Sequence, residues 1–141
     1  MITLNESLAH THYGASSTTI NNNYGQLDTR ARVGHVNRNM KIVPGPDMGW
    51  GFSVIVYGYR DTDNKLWIGN VDISAVQIED GGQLDTVNSP LKFFNTINGA
   101  SKSSITKTSF MNCRANCIYM QNAHQVSIKN NVFYNVWANG V

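Results

Sequence analysis

The segment "VSIKNNVFYNVWANGV" (126–141) follows "SSITKTSFMNCRANCI" (103–118) at a spacing of 23 residues, and the two are identical at six of sixteen positions. Ser104, Ile105, Phe110, Asn112, Ala115 and Asn116 recur as Ser127, Ile128, Phe133, Asn135, Ala138 and Asn139. A third copy, "VDISAVQIED" (71–80), keeps Ile73, Ile78 and Asp80 at the same offsets of zero, five and seven. This period is too short for a propeller blade and lacks the helical half of most solenoid repeats. It predicts the coil of a right-handed parallel β-helix, in which residues one period apart become neighbours at a spacing of about 4.8 Å. Ile73, Ile105 and Ile128 would then form one inward row, and Ile78, Phe110 and Phe133 another.

The asparagines fit the corners of such a coil. Asn tolerates left-handed backbone angles, and its amide can bond both to nearby backbone and to the Asn of the next coil. Asp80, Asn112 and Asn135 are expected to form one structural ladder, and Asn116 and Asn139 a second; the alternative is a set of unrelated loop asparagines. The step from Ile73 to Ile105 is 32 residues, nine longer than the repeat. The excess is assigned to "GGQLDTVNSP" (81–90) as a surface loop ahead of a strand at "LKFF" (91–94).

Composition agrees with an all-β chain. Asn, Ser, Thr and Gly are abundant, the usual helix builders are sparse, and no window holds a sustained 3.6-residue apolar period. Across 141 residues the hydrophobic content is 41%, enough for a packed core. Charged residues are 14% of the chain and the net charge is +2, so no basic patch or charge run points to nucleic acid as a partner. The longest apolar runs, such as "FSVIVYGY" (52–59), fall far short of the ~20 residues of a membrane helix. "RNMKIVPG" (38–45) and "FSVIVYGY" read as strands of an earlier coil, joined by the Pro/Gly turn "PGPDMGWG" (44–51). Residues 1–35 lack the repeat register and alternate instead, as in a small β module capping the coils of 36–141.

The stretches "SLAHTHYG" (7–14) and "LDTRARVGHVNRNMKI" (27–42), followed by the coils, resemble the junction between a G-eight domain and the parallel β-helix of the fibrocystin-like family of large cell-surface proteins. The chain departs from the family at Arg32, where Glu is usual. It also departs at "SPLKFF" (89–94), where hyaluronan-associated relatives carry two histidines and this chain has Lys92 and Phe94. The resemblance implies an extracellular or cell-surface glycoprotein whose chain continues beyond 141 into further domains, with a membrane anchor only outside this segment. Its expected role is a non-catalytic stalk or interaction module whose partners are extracellular proteins or glycans, with no cofactor. The alternative is a depolymerase of a hyaluronan-like polysaccharide, or a degenerate relative of one.

The residues themselves bear on that choice. Glycan cleavage on a β-helix usually needs carboxylates paired on adjacent coils. Below Glu79 and Asp80 stand Met111 and Asn112, then Tyr134 and Asn135, so the acids do not pair. His10 and His12 alternate on an expected strand and are weak candidates for a shared metal, with no third ligand assignable. Cys113 and Cys117 span an expected corner within disulfide range, the alternatives being two free thiols or a partial metal site. Asn5, in Asn5-Glu6-Ser7, is the one glycosylation sequon. Trp50 and Trp67 are candidate glycan contacts, since exposed aromatics stack on sugar rings. Core or corner packing is the competing account for them, and for Tyr57, Tyr59 and Trp137.

Overall fold

Short strands, several of them parted by one or two residues of which one is left-handed, make up the described part of this chain. A computed structural model describes residues 20–22, 25–27, 34–47, 49–97 and 102–141, which form two units, Met1–Gly34 and His35–Val141. In the first, β1 (Ile20–Asn22) and β2 (Gly25–Leu27) pair antiparallel, with Ile20 opposite Leu27.

Among the described residues the second unit has eleven strands in three mostly parallel sheets. One sheet contains β3 (Met40–Ile42), β7 (Val76–Glu79), β10 (Ser109–Met111) and β13 (Val132–Tyr134), all parallel. A second contains β4 (Val54–Arg60), β5 (Leu66–Ile68), β8 (Leu91–Thr96) and β11 (Ile118–Ala123), in the order β11-β8-β4-β5. The third contains β6 (Asp72–Ser74), β9 (Ser103–Thr106) and β12 (Val126–Lys129). The register places Ile73 beside Ile105 and Ile105 beside Ile128, and likewise Ile78, Phe110 and Phe133 in one row.

These rows carry the core. Ile105, Phe110, Leu91 and Phe93 are fully buried, with Ile78 and Ile118 nearly so, and the Phe110 and Phe133 rings stack at 5.1 Å. Apolar burial of this kind supplies the main favourable energy of the fold. The strand breaks fall where a residue takes positive φ. Ala75, Lys107 and Asn130, at φ 56°, 52° and 56°, separate β6 from β7, β9 from β10 and β12 from β13. Each break redirects the chain from one sheet to the next without a long loop.

The expectation of a right-handed parallel β-helix is corrected here. The three sheets are open, and none closes or forms a solenoid. Two features work against closure. The β4–β5 pair is antiparallel and places a hairpin at the edge of the second sheet. The step between paired rows also varies, from 23 residues at Asn112 and Asn135 to 27 at Asn95 and Asn122 and 32 at Ser74 and Thr106. A regular coil needs one repeating path, and here the path changes length from row to row. The segment 81–90 accounts for part of that change: Leu84–Asn88 is exposed, whereas Gly81, Gly82, Ser89 and Pro90 are buried against the sheets.

Candidate functional site

The ends of β7, β10 and β13 converge on one edge of the second unit. Each strand is followed by a left-handed residue: Asp80 at φ 56°, Asn112 at 52° and Asn135 at 51°. Non-glycine residues adopt this conformation at a cost, which Asn and Asp bear best. Backbone bonds tie the corners together. The Asp80 amide donates to Met111 O, and the Asn112 amide to Tyr134 O, both at 3.1 Å. The Asn135 Nδ2 donates to Asn112 Oδ1 at 2.8 Å, so these two amides form a side-chain ladder.

Beyond the corners the chain turns into the walls of a groove of about 750 Å³. Trp50 and Trp137 both line it, while Asp80, Asn112, Asn135, Gln83 and Arg114 supply its polar lining. The tryptophans are 65% and 70% exposed, too open for core packing. The loop bearing Trp50 approaches residues 80–82 closely: a Cβ on Gly51 would collide with the backbone of Gly82 and Asp80. Arg114 Nη1 donates to Gly49 O at 2.9 Å, and the Trp137 amide donates to Cys113 O at 3.0 Å. Both tryptophan walls are therefore fastened to the turn that follows β10.

A disulfide closes that turn. Cys113 and Cys117 are bonded and fully buried, with Cα atoms 5.5 Å apart. The second expected ladder has a different form, since Asn116 Oδ1 accepts from the Asn139 backbone amide at 3.1 Å and not from its side chain. These two residues stand outside the groove lining.

Trp67 is placed elsewhere. It lies on β5, where its indole Nε1 donates to Asp61 Oδ2 at 2.8 Å and the Lys65 ammonium sits 4.3 Å from its ring centroid. Trp137, which was not among the candidate glycan contacts, lines the groove together with Trp50. The available signal was its repeat position: Trp137 aligns with Arg114, and the two share the groove. Asn5, His10 and His12 lie outside the described residues. Among the described residues no three His, Cys, Asp or Glu side chains are grouped to hold a metal.

The groove pairs flat apolar ring faces with amide, guanidinium and carboxylate groups, and Arg114 and Asp80 balance one positive charge against one negative. Such a surface suits a ligand with alternating apolar and hydroxyl-bearing faces. No family model, curated protein or solved structure matches the chain.

Proposed function

We propose that the chain is a non-catalytic interaction module of a large extracellular or cell-surface glycoprotein, and that the groove between Trp50 and Trp137 binds neutral glycan. The observation that carries this reading is that two exposed indoles line one groove together with the amides of Asn112, Asn135 and Gln83. Sugar C–H faces stack on the rings, and sugar hydroxyls exchange hydrogen bonds with Asn112, Asn135 and Gln83. The extracellular part of the reading draws support from the fibrocystin-like resemblance and from the Cys113–Cys117 disulfide, since such bonds persist in oxidising compartments. The non-catalytic part draws support from the lining, where Asp80 is the one carboxylate among the described groove residues and two-carboxylate glycoside hydrolysis needs a pair.

The test is a glycan array followed by calorimetry on the best neutral oligosaccharide. Trp137→Ala and Trp50→Ala each weaken binding by roughly tenfold, the loss of an aromatic contact worth about 1.4 kcal/mol, and Trp67→Ala leaves it unchanged. Equal loss in all three variants defeats the groove assignment. Release of new reducing ends by the unmodified protein, abolished in Asp80→Asn, defeats the non-catalytic reading in favour of a depolymerase.

A further inference from the structure

The turn at residues 113–117 is bonded to every segment that carries a tryptophan of the groove. Trp137 and the residues after it are stitched to the turn and its exit by four bonds. The Trp137 amide donates to Cys113 O at 3.0 Å and the Asn139 amide to Asn116 Oδ1 at 3.1 Å. In the reverse sense, the amides of Cys117 and Ile118 donate to Asn139 O and Gly140 O at 2.9 and 3.1 Å. Arg114 reaches two further segments: its Nη1 donates to Gly49 O, one residue from Trp50, and its amide donates to Gly81 O, both at 2.9 Å. The Gly82 amide then donates to Phe52 O at 2.9 Å, which ties the far side of the Trp50 loop to the same stretch.

All of these bonds run outward from the turn. Among the described residues, no hydrogen bond joins one member of 113–117 to another. Its one internal tie is the disulfide between the chain's two cysteines, which holds their Cα atoms 5.5 Å apart. Segments held only through outward bonds keep their place as long as the anchor they share keeps its shape, and short stretches without internal bonds open at low free energy. The covalent link therefore supplies what the turn's own hydrogen bonding does not.

We infer that the Cys113–Cys117 disulfide is the positioning link of the groove and a redox gate on it: closed, it presents Trp50 and Trp137 to a glycan, and reduction by a dithiol loosens both segments and releases the ligand. In the reaction a thiolate of the dithiol attacks one cystine sulfur, forming a mixed disulfide and displacing the other sulfur as thiolate. The second thiol of the reductant then displaces the remaining cysteine and leaves as a cyclic disulfide, so two electrons pass to the protein and both cysteine sulfurs end as thiols. Both cysteines are fully buried, so attack waits on opening of the turn. The coupling is reciprocal: a glycan that binds the closed form more tightly raises the resistance of the link to reduction by the same factor. The release of ligand rests on the glycan reading of the groove, whereas the loosening of the two segments does not.

The test compares amide hydrogen exchange of the intact and the dithiothreitol-reduced protein, with the extent of reduction read as the mass of alkylated thiols. Exchange at Trp137 and Asn139, whose amides donate to the turn, rises about tenfold or more on reduction. Ser104 and Ala75, whose amides donate to Val71 O and Thr106 O, keep their rates. The affinity for the best neutral oligosaccharide from the glycan array falls about tenfold, the scale of one lost tryptophan contact. A Cys113→Ser, Cys117→Ser double variant reproduces the reduced form; if it does not fold, reduction of the unmodified protein decides alone. An equal rise at all four amides refutes the gate, since it marks unfolding of the whole unit, and so does unchanged exchange at Trp137 and Asn139. A link that dithiothreitol does not reduce in the folded protein refutes it as well. Equal glycan affinity in the two redox forms refutes the gate and leaves the glycan reading standing. An array on which neither form binds overturns the glycan reading, and the exchange rates then decide whether reduction loosens the groove.

Discussion

Asn131 holds two backbone groups of the neighbouring row. Its Oδ1 accepts from the Thr108 amide and its Nδ2 donates to Ile105 O, each at 2.8 Å, and the residue is half-buried. Removing one partner of a buried bond leaves the other unsatisfied, at a cost near 1 kcal/mol or more for each. Asn131→Ala therefore destabilises by about 2 kcal/mol in urea denaturation. Asn135→Gly, which keeps the left-handed backbone accessible and removes only an exposed amide–amide bond, costs less than about 1 kcal/mol. Equal costs would contradict this division of labour. The Asn112–Asn135 pair is legible in the sequence because both members repeat. Asn131 is not, because its upstream match is Thr108 and its partners are backbone atoms that no alignment displays. Asn130 is likewise explained only by its φ, which Ala75 and Lys107 share with no common side chain.

At the scale of an element, the β4–β5 hairpin is the part of the second sheet that the repeat does not encode. "FSVIVYGY" is recognisable as a strand, but the antiparallel partner Leu66–Ile68 is too short to register as a pattern. What fixes the hairpin is Asp61. The Trp67 indole N–H, then the Lys65 amide, hold the Asp61 carboxyl below the ordinary 3.8. A carboxyl lowered on folding adds stability above the ordinary value, and that contribution is lost as pH falls through the lowered one. Acidification from pH 5 to below 3.8 should therefore loosen the turn and shift Trp67 fluorescence, while Asp61→Asn removes that step from the titration. A step of the same size in the variant would assign the change to another group.

For the whole molecule, the inward rows were readable because Ile, Phe and Asn recur at fixed offsets, and the parallel pairing follows those offsets. The open sheets were not readable, because three copies of a motif suggest a uniform path where the chain takes steps of 23, 27 and 32 residues. Of the groove lining, Trp50 was singled out as a glycan contact, and Asp80, Asn112 and Asn135 only as a structural ladder. Trp137 and Arg114 share a repeat position, but the residue type changes between the rows, so the alignment marked the position without marking a shared chemistry. The disulfide beneath them closes a short loop of sequence separation 4. Loop-closure entropy gives such a link about 2 kcal/mol. Urea denaturation with and without reductant should show that difference, and a Cys113→Ser, Cys117→Ser double variant should be insensitive to reductant. A midpoint that reductant does not move in the unmodified protein would mean that the link does not stabilise the fold.

The attachment of both tryptophan walls to one turn has a consequence for how such a site can change. Arg114, Cys113 and the loop at Gly49–Gly51 hold the backbone that bears the two tryptophans, whereas Leu84, at the start of the exposed stretch Leu84–Asn88, belongs to the groove lining. Surface loops accept added residues readily. Added residues after Leu84 would extend that part of the lining and leave the bonds at Gly49 and Cys113 in place, so the reach of the groove and the anchoring of its tryptophans can vary independently.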